Sequence, residues 1–195
     1  MTDDMKLLSE ENENGLNSAV RAVKEDTSSF RQNALMWHNR LRCIHDADRL
    51  KLNESLSKEA EEYANEIVTR HNGILDHSKL ETRRNEGENL AMTCSANKGT
   101  LTGAEATFKW YNDICEKGYD FRSNIIQKGT GHFTQLTWKG TTDFGIGRAT
   151  IKKNGRYCTV IVARYFPKGN IQKEFGENIG QGAYNDQTCE TLPKN

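Results

Sequence analysis

The chain has 195 residues, enough for one ordinary domain with residues to spare. Its 27 Lys and Arg balance 27 Asp and Glu, so no basic field advertises nucleic acid. Only 35% of residues are apolar, and the longest apolar runs, 34–37 and 160–163, fall far short of the roughly 20 residues of a membrane-spanning helix.

Residues 1–28 read as a tail. The first 16 hold five acids against one Lys, and such a segment buries too little surface to offset its ordering entropy. A short helix near Leu16–Val23 is compatible with the pattern. From Ser29 the character changes. Ser28 or Ser29 is expected to cap a helix with Phe30, Ala34, Trp37 and Leu41 at spacings of three and four. Asn53 or Ser55 introduces a second helix, from about Leu56 through Ala60, Tyr63, Ala64 and Ile67. A third covers about Leu101–Cys115, with Ala104, Phe108, Tyr111 and Ile114 on one face and Trp110 beside them.

The second half is rich in β-branched and aromatic residues. Phe144–Ile151 and Tyr157–Phe166 read as strands joined through Asn154-Gly155, the strongest short hairpin signal. In the second strand Thr159, Ile161 and Ala163 alternate with Cys158, Val160 and Val162, so both faces are mostly apolar. Such a strand must be covered on both faces, which helices on either side of an antiparallel sheet would achieve. Gly145 and Gly147 mark a close backbone approach; no helix follows them directly, so a dinucleotide fingerprint is rejected. Residues 180–195 lack periodicity and read as a second tail, which leaves 29–179 as the domain.

The N-terminus shows no basic segment followed by an apolar stretch, so no signal peptide is visible. Thr2 stands where N-myristoylation requires glycine, and Cys189 is too far from the end for prenylation. Five cysteines (Cys43, Cys94, Cys115, Cys158, Cys189) match no zinc ribbon or finger spacing. Without an export signal they are expected as free thiols in a reducing, cytoplasmic setting.

Four segments concentrate chemistry. They are Leu75-Asp76-His77-Ser78, Asn85-Glu86-Gly87-Glu88-Asn89-Leu90, Trp110-Tyr111-Asn112-Asp113, and Gly129-Thr130-Gly131-His132-Phe133-Thr134-Gln135. In the last, two glycines place a histidine at the start of a short helical turn. Two imidazoles and two carboxylates suffice as donors for a divalent transition metal, and equally as general acid and base. Spacing alone does not bring them together. Without a motif, Glu88 reads as a loop or capping carboxylate and Asp113 as a solvated helix-end charge. His38 and Arg42 share a helix face and brace packing in preference to doing chemistry. Nothing near Cys94 lowers a thiol pKa.

At these residues the sequence resembles the CAP superfamily of cysteine-rich secretory, antigen 5 and pathogenesis-related proteins, also called the SCP domain. Gly131-His132-Phe133-Thr134-Gln135-Leu136-Thr137-Trp138 is similar to its most specific signature, with Thr137 where an aliphatic residue is usual. Val160–Ile171, containing Tyr165-Phe166-Pro167-Lys168-Gly169-Asn170, resembles the second; Gly87-Glu88-Asn89-Leu90 and His38-Asn39-Arg40-Leu41-Arg42 resemble two shorter ones. The resemblance covers about residues 30–179 and implies an α+β, three-layer α-β-α sandwich with a central antiparallel sheet.

Within the family it looks most like the branch of Golgi-associated plant pathogenesis-related proteins, and Ala163 replaces a cysteine of the secreted members' disulfide network. The resemblance implies His77 and His132 as metal ligands, for Zn2+ or another divalent cation that the fold does not require. Glu88 and Asp113 would be supporting cleft carboxylates; position 113 is usually Glu. No catalytic residue is assigned. The function implied is non-enzymatic binding of membrane lipid (anionic phospholipid, sterol or fatty acid), peripheral on Golgi or other membranes, with a homodimer as further expectation. The alternatives are a metal-dependent or thiol hydrolase using the same cleft, with Glu88 as base or Cys94 as nucleophile, and a protein-interaction module.

Overall fold

A computed structural model describes residues 26–96, 101–185 and 187–192. The tail expected over 1–28, with its helix near Leu16–Val23, thus lies outside the described residues up to position 25. Helix α1 (Thr27–Ile44) starts earlier than expected because Asp26, and neither Ser28 nor Ser29, caps it: its carboxylate accepts from Ser29 N at 2.8 Å. A two-residue strand β1 (Lys51–Leu52) leads into α2 (Glu54–Thr69), capped by Asn53 through Ser55 N and Leu56 N. Strand β2 (Gly87–Ser95) precedes α3 (Gly103–Lys117), which opens with a capping box between Thr102 and Glu105. The short α4 (Gly131–Thr137) leads to β3 (Asp143–Lys153) and β4 (Arg156–Phe166), and α5 (Phe175–Asn178) and α6 (Thr188–Thr191) follow.

The sheet order is β1-β3-β4-β2. β3 and β4 form the expected hairpin, with positive φ at both Asn154 and Gly155, as the tight turn demands. β2 pairs antiparallel with β4 and was not anticipated, because its first turns bury polar Glu88 and Asn89 and break the apolar alternation. The sheet is mixed and not purely antiparallel, since β1 pairs parallel with β3 through Lys51 N to Thr142 O and Asn53 N to Phe144 O.

Alternation along β4 decides the layers. Ile161, Ala163 and Tyr165 join Phe144, Ile146, Phe30, Leu41, Trp110 and Phe133 in the larger core, under α1, α3 and α4. Val160 and Val162 face the other way and pack with Leu90, Ala149 and α2 residues Ala60, Ala64 and Ile67. Gly145 and Gly147 let α2 approach: a Cβ at either would meet backbone atoms of Leu56 and Ser57 or of Glu61. Arg42 is fully buried and donates to the carbonyls of Asp48, Leu136, Trp138 and Thr141 at 2.7–3.0 Å, so it ties the loop after α1 to the end of α4 and to the connection that follows it.

The expectation of free thiols is overturned. Cys94 pairs with Cys158, and Cys115 with Cys189; only Cys43 is free. Cys94 and Cys158 stand opposite each other on β2 and β4, 4.0 Å apart at Cα, a proximity that sequence spacing does not reveal. The second bond fastens the segment read as a C-terminal tail to α3. That segment lies along the domain: Ala183 N donates to Ile44 O, and Tyr184 stacks on His45. No described helix is long and apolar enough to cross a membrane.

Candidate functional site: two histidine–carboxylate pairs at the sheet edge

Edge strand β2 organises the site. Successive strand residues face opposite sides of the sheet, so Glu88 points toward α2 and its neighbour Asn89 toward α4. Glu88 accepts from His77 Nδ1 at 2.7 Å, while Asn89 Nδ2 donates to the carbonyl of His132 at 3.1 Å. Consecutive residues of one strand thus anchor both histidines, although 55 positions separate these in sequence.

His77 sits on the loop from α2 to β2. Tyr63 of α2 holds that loop by donating its hydroxyl to Asp76 O at 2.7 Å. The Glu88 side chain is completely buried, and four donors surround it. Oε1 accepts from His77 Nδ1 and Ser78 N (3.0 Å); Oε2 accepts from Ser78 Oγ (2.9 Å) and forms an ion pair with Arg164 Nη1 (3.1 Å), which itself donates to Ser78 Oγ. Burial alone would push this carboxyl up. The hydrogen bonds from His77 and Ser78 and the charge of Arg164 outweigh it and hold the group below its ordinary value, as a carboxylate. A carboxylate only accepts, so His77 Nδ1 carries the proton of this bond, which leaves Nε2 as the ring nitrogen not engaged by Glu88.

The second pair is looser. Asp113 projects from α3 and accepts from the backbone N–H of His132 (2.9 Å) and Phe133 (3.3 Å), so it satisfies donors at the start of α4. Its oxygens lie 3.2 and 3.4 Å from His132 Nδ1. Asn170, two positions beyond Lys168 in the second signature, completes the support: Nδ2 donates to Gly131 O, and Oδ1 accepts from Thr134 Oγ1. Behind the sheet, Asn89 also donates to the Tyr165 hydroxyl, which donates to His38 Nε2.

All four predicted side chains therefore lie around one strand edge, but as two pairs. Among the described residues no three His, Cys, Asp or Glu converge as a ready metal group. Each histidine side chain is about half exposed, 54% for His77 and 42% for His132. Cys94 is locked in a disulfide and offers no thiolate, which removes it as a nucleophile. Sequence reasoning quoted Ser78 and Asn89 in these segments without a role and did not single out Arg164. Arg164 was legible in principle: a charge inside a strand apolar on both faces requires a buried partner.

Residues 35–165 match the CAP, cysteine-rich secretory protein, family model. The chain is 36% identical to human Golgi-associated plant pathogenesis-related protein 1 over 158 residues, 80% of this chain and 96% of that protein. It is 28% identical to pathogenesis-related protein 1 of Arabidopsis thaliana, over 70% of this chain and 76% of that one. Protein PRY2 of Saccharomyces cerevisiae is 33% identical over 73% of this chain, which spans 38% of PRY2. Among solved structures, BmVAL-1 superposes with a TM-score of 0.61 at 23% identity, over 83% and 85% of the two chains. NaASP2, crystallised with Zn2+, gives 0.59 at 21% identity, over 84% and 88%. With the ordered motifs and the layered fold in agreement, the chain belongs to the CAP family of cysteine-rich secretory proteins.

Proposed function

We propose that this protein is a non-enzymatic module that binds membrane surfaces through the loops carrying its two histidines, peripherally at Golgi or other membranes. The supporting observation is the rim of the site. Ile74, Leu75 and Leu80 flank His77, and Ile125 and Ile126 precede His132; Leu80 is 67%, Ile74 65% and Ile125 59% exposed. Large apolar side chains held this far into solvent at one site mark an interaction surface. Lys79, Arg84 and Lys128 stand exposed among them, interspersed with Asp76 and Glu81, and bring basic charge toward an anionic lipid headgroup.

The donor set is suited to a divalent cation. Each imidazole is held at Nδ1 by a carboxylate that leaves Nε2 unengaged, the arrangement in which histidine binds zinc. His77 and His132 would hold the ion, with Glu88 and Asp113 as supports. An ion there would add Lewis acidity and would fasten the two apolar loops; the core packs independently of these side chains. No observation favours the hydrolase reading, because Glu88 is buried and Cys94 is bonded.

Vesicle co-sedimentation of the full chain tests the reading, with anionic against neutral lipid at low and physiological salt. Binding to anionic vesicles that weakens with salt, and that Leu80→Glu with Ile125→Glu abolishes, is the expected result. Absence of binding to any vesicle overturns it. Sedimentation of the lipid-free protein at several concentrations tests the homodimer in the same material.

A further inference from the structure

Asn-Gly occurs at Asn14-Gly15, Asn72-Gly73 and Asn154-Gly155. A glycine after asparagine leaves its own amide nitrogen unshielded, because no Cβ stands beside it. That nitrogen is the one able to attack the asparagine side chain. The first pair lies outside the described residues. The other two share one backbone shape, with φ of 49° and 72° at Asn72 and Gly73 and of 50° and 75° at Asn154 and Gly155. Their surroundings differ.

Asn72-Gly73 follows the C-terminus of α2. Gly73 N donates to Ile67 O at 2.9 Å, and Asn72 O accepts from Lys153 Nζ at 2.9 Å. Those two atoms belong to the same peptide group, so both of its ends are held. Gly73 is buried as well, with Ile151 beside it. Attack on the Asn72 side chain requires this peptide group to rotate, which would break both bonds.

Asn154-Gly155 forms the tip of the β3–β4 hairpin. Both residues are exposed, and a Cβ at Gly155 would meet nothing within 4 Å. Among the described residues no hydrogen bond holds Gly155 N or the Asn154 side chain. The peptide group between them turns by fraying the tip alone, a local opening that leaves the rest of the sheet in place.

We propose that Asn154 is a site of spontaneous deamidation, selected over Asn72 by the freedom of the peptide group that follows it. Gly155 N gives its proton to a solvent base and bonds to Asn154 Cγ. The side-chain amide leaves as ammonia, and a succinimide ring remains. Water opens the ring at either carbonyl, giving aspartate or isoaspartate. One water is consumed and one ammonia released, with no change of oxidation state. The formal net charge, balanced in the unmodified chain, falls by one unit. The new carboxylate arises among Lys152, Lys153 and Arg156, and the isoaspartyl form adds a main-chain carbon to a turn built for two residues.

The test holds full-length protein folded at mildly alkaline pH and body temperature for several weeks, beside a sample reduced and unfolded in guanidinium. Peptic digestion in acid halts the reaction, and mass spectrometry weighs the peptides; the Asn14 peptide is read separately. In the folded protein the Asn154 peptide should gain one mass unit at least about tenfold faster than the Asn72 peptide, and should resolve into aspartyl and isoaspartyl forms. Unfolding should speed Asn72 until the two rates agree within about threefold. A smaller ratio in the folded protein, or an Asn154 that reacts only after unfolding, overturns the assignment. So does an Asn72 that still lags beyond that margin in guanidinium, because the difference would then lie in the neighbouring sequence and not in the fold.

Discussion

Acidification is expected to destabilise this protein through two histidines outside the candidate site. His38 and His45 are both fully buried, one between α1 and the sheet, the other between α1 and the C-terminal segment. They share one arrangement. Nδ1 lies 2.8 Å from a backbone carbonyl, of Ala34 or Gly180, and Nε2 lies 2.9 or 2.8 Å from the hydroxyl of Tyr165 or Tyr111. Carbonyls only accept, so each ring is neutral, with Nδ1 protonated and Nε2 accepting. Burial pushes His38 from 6.5 down to about 3 and His45 to about 4, against the raising effect of the carbonyl bonds.

In the unfolded chain both titrate near 6.5. Between that value and the depressed ones the unfolded chain binds more protons, so stability falls as pH falls through this window and is fully present above it. At about pH 5 each ring costs roughly 2 kcal/mol, and the pair roughly 4, a large share of the 5–15 kcal/mol of a typical domain. Glu88, held below 4.5, adds its own loss only in stronger acid; Glu86, raised by burial and by Glu59, acts in the opposite sense. Urea unfolding at about pH 8, 6.5 and 5 without reductant, followed by tryptophan fluorescence, measures the effect. Stability equal at pH 8 and 5 within about 1 kcal/mol would refute the argument, and so would an undiminished slope in His38→Gln with His45→Gln.

Arg42→Met should destabilise by at least about 3 kcal/mol in urea, because four buried carbonyls lose a charged donor together; a cost under about 1 kcal/mol would show them satisfied elsewhere. Cys189→Ser opens a link between residues 74 positions apart. It should cost about 2–4 kcal/mol and expose residues 180–192 to protease, and unchanged protease resistance would mean that Tyr184 and His45 hold the segment unaided.

Much of the fold was legible because burial imposes a period on the sequence. In the α1 stripe Phe30, Ala34 and Leu41 are buried as expected and Trp37 only partly, and the two apolar faces of β4 are covered from both sides. The Asn154-Gly155 turn was readable because its φ values are a local demand. β2 was not, since its polar residues are buried by partners that come from elsewhere. Nor were the disulfides: they depend on strand register and on where residue 189 lands against α3.

The same division runs through the site. His77, Glu88, Asp113 and His132 could be named from motifs, because the residue types are local and their order along the chain is preserved. Their assortment into two pairs could not. That depends on the pleat of β2, which turns Glu88 and Asn89 to opposite faces, and on the β2–β4 register, which sets Arg164 against Glu88. Residue identity determines which donors exist. Only the tertiary structure decides which remain unspent, because a buried carboxylate must find its hydrogen-bond partners wherever the fold supplies them.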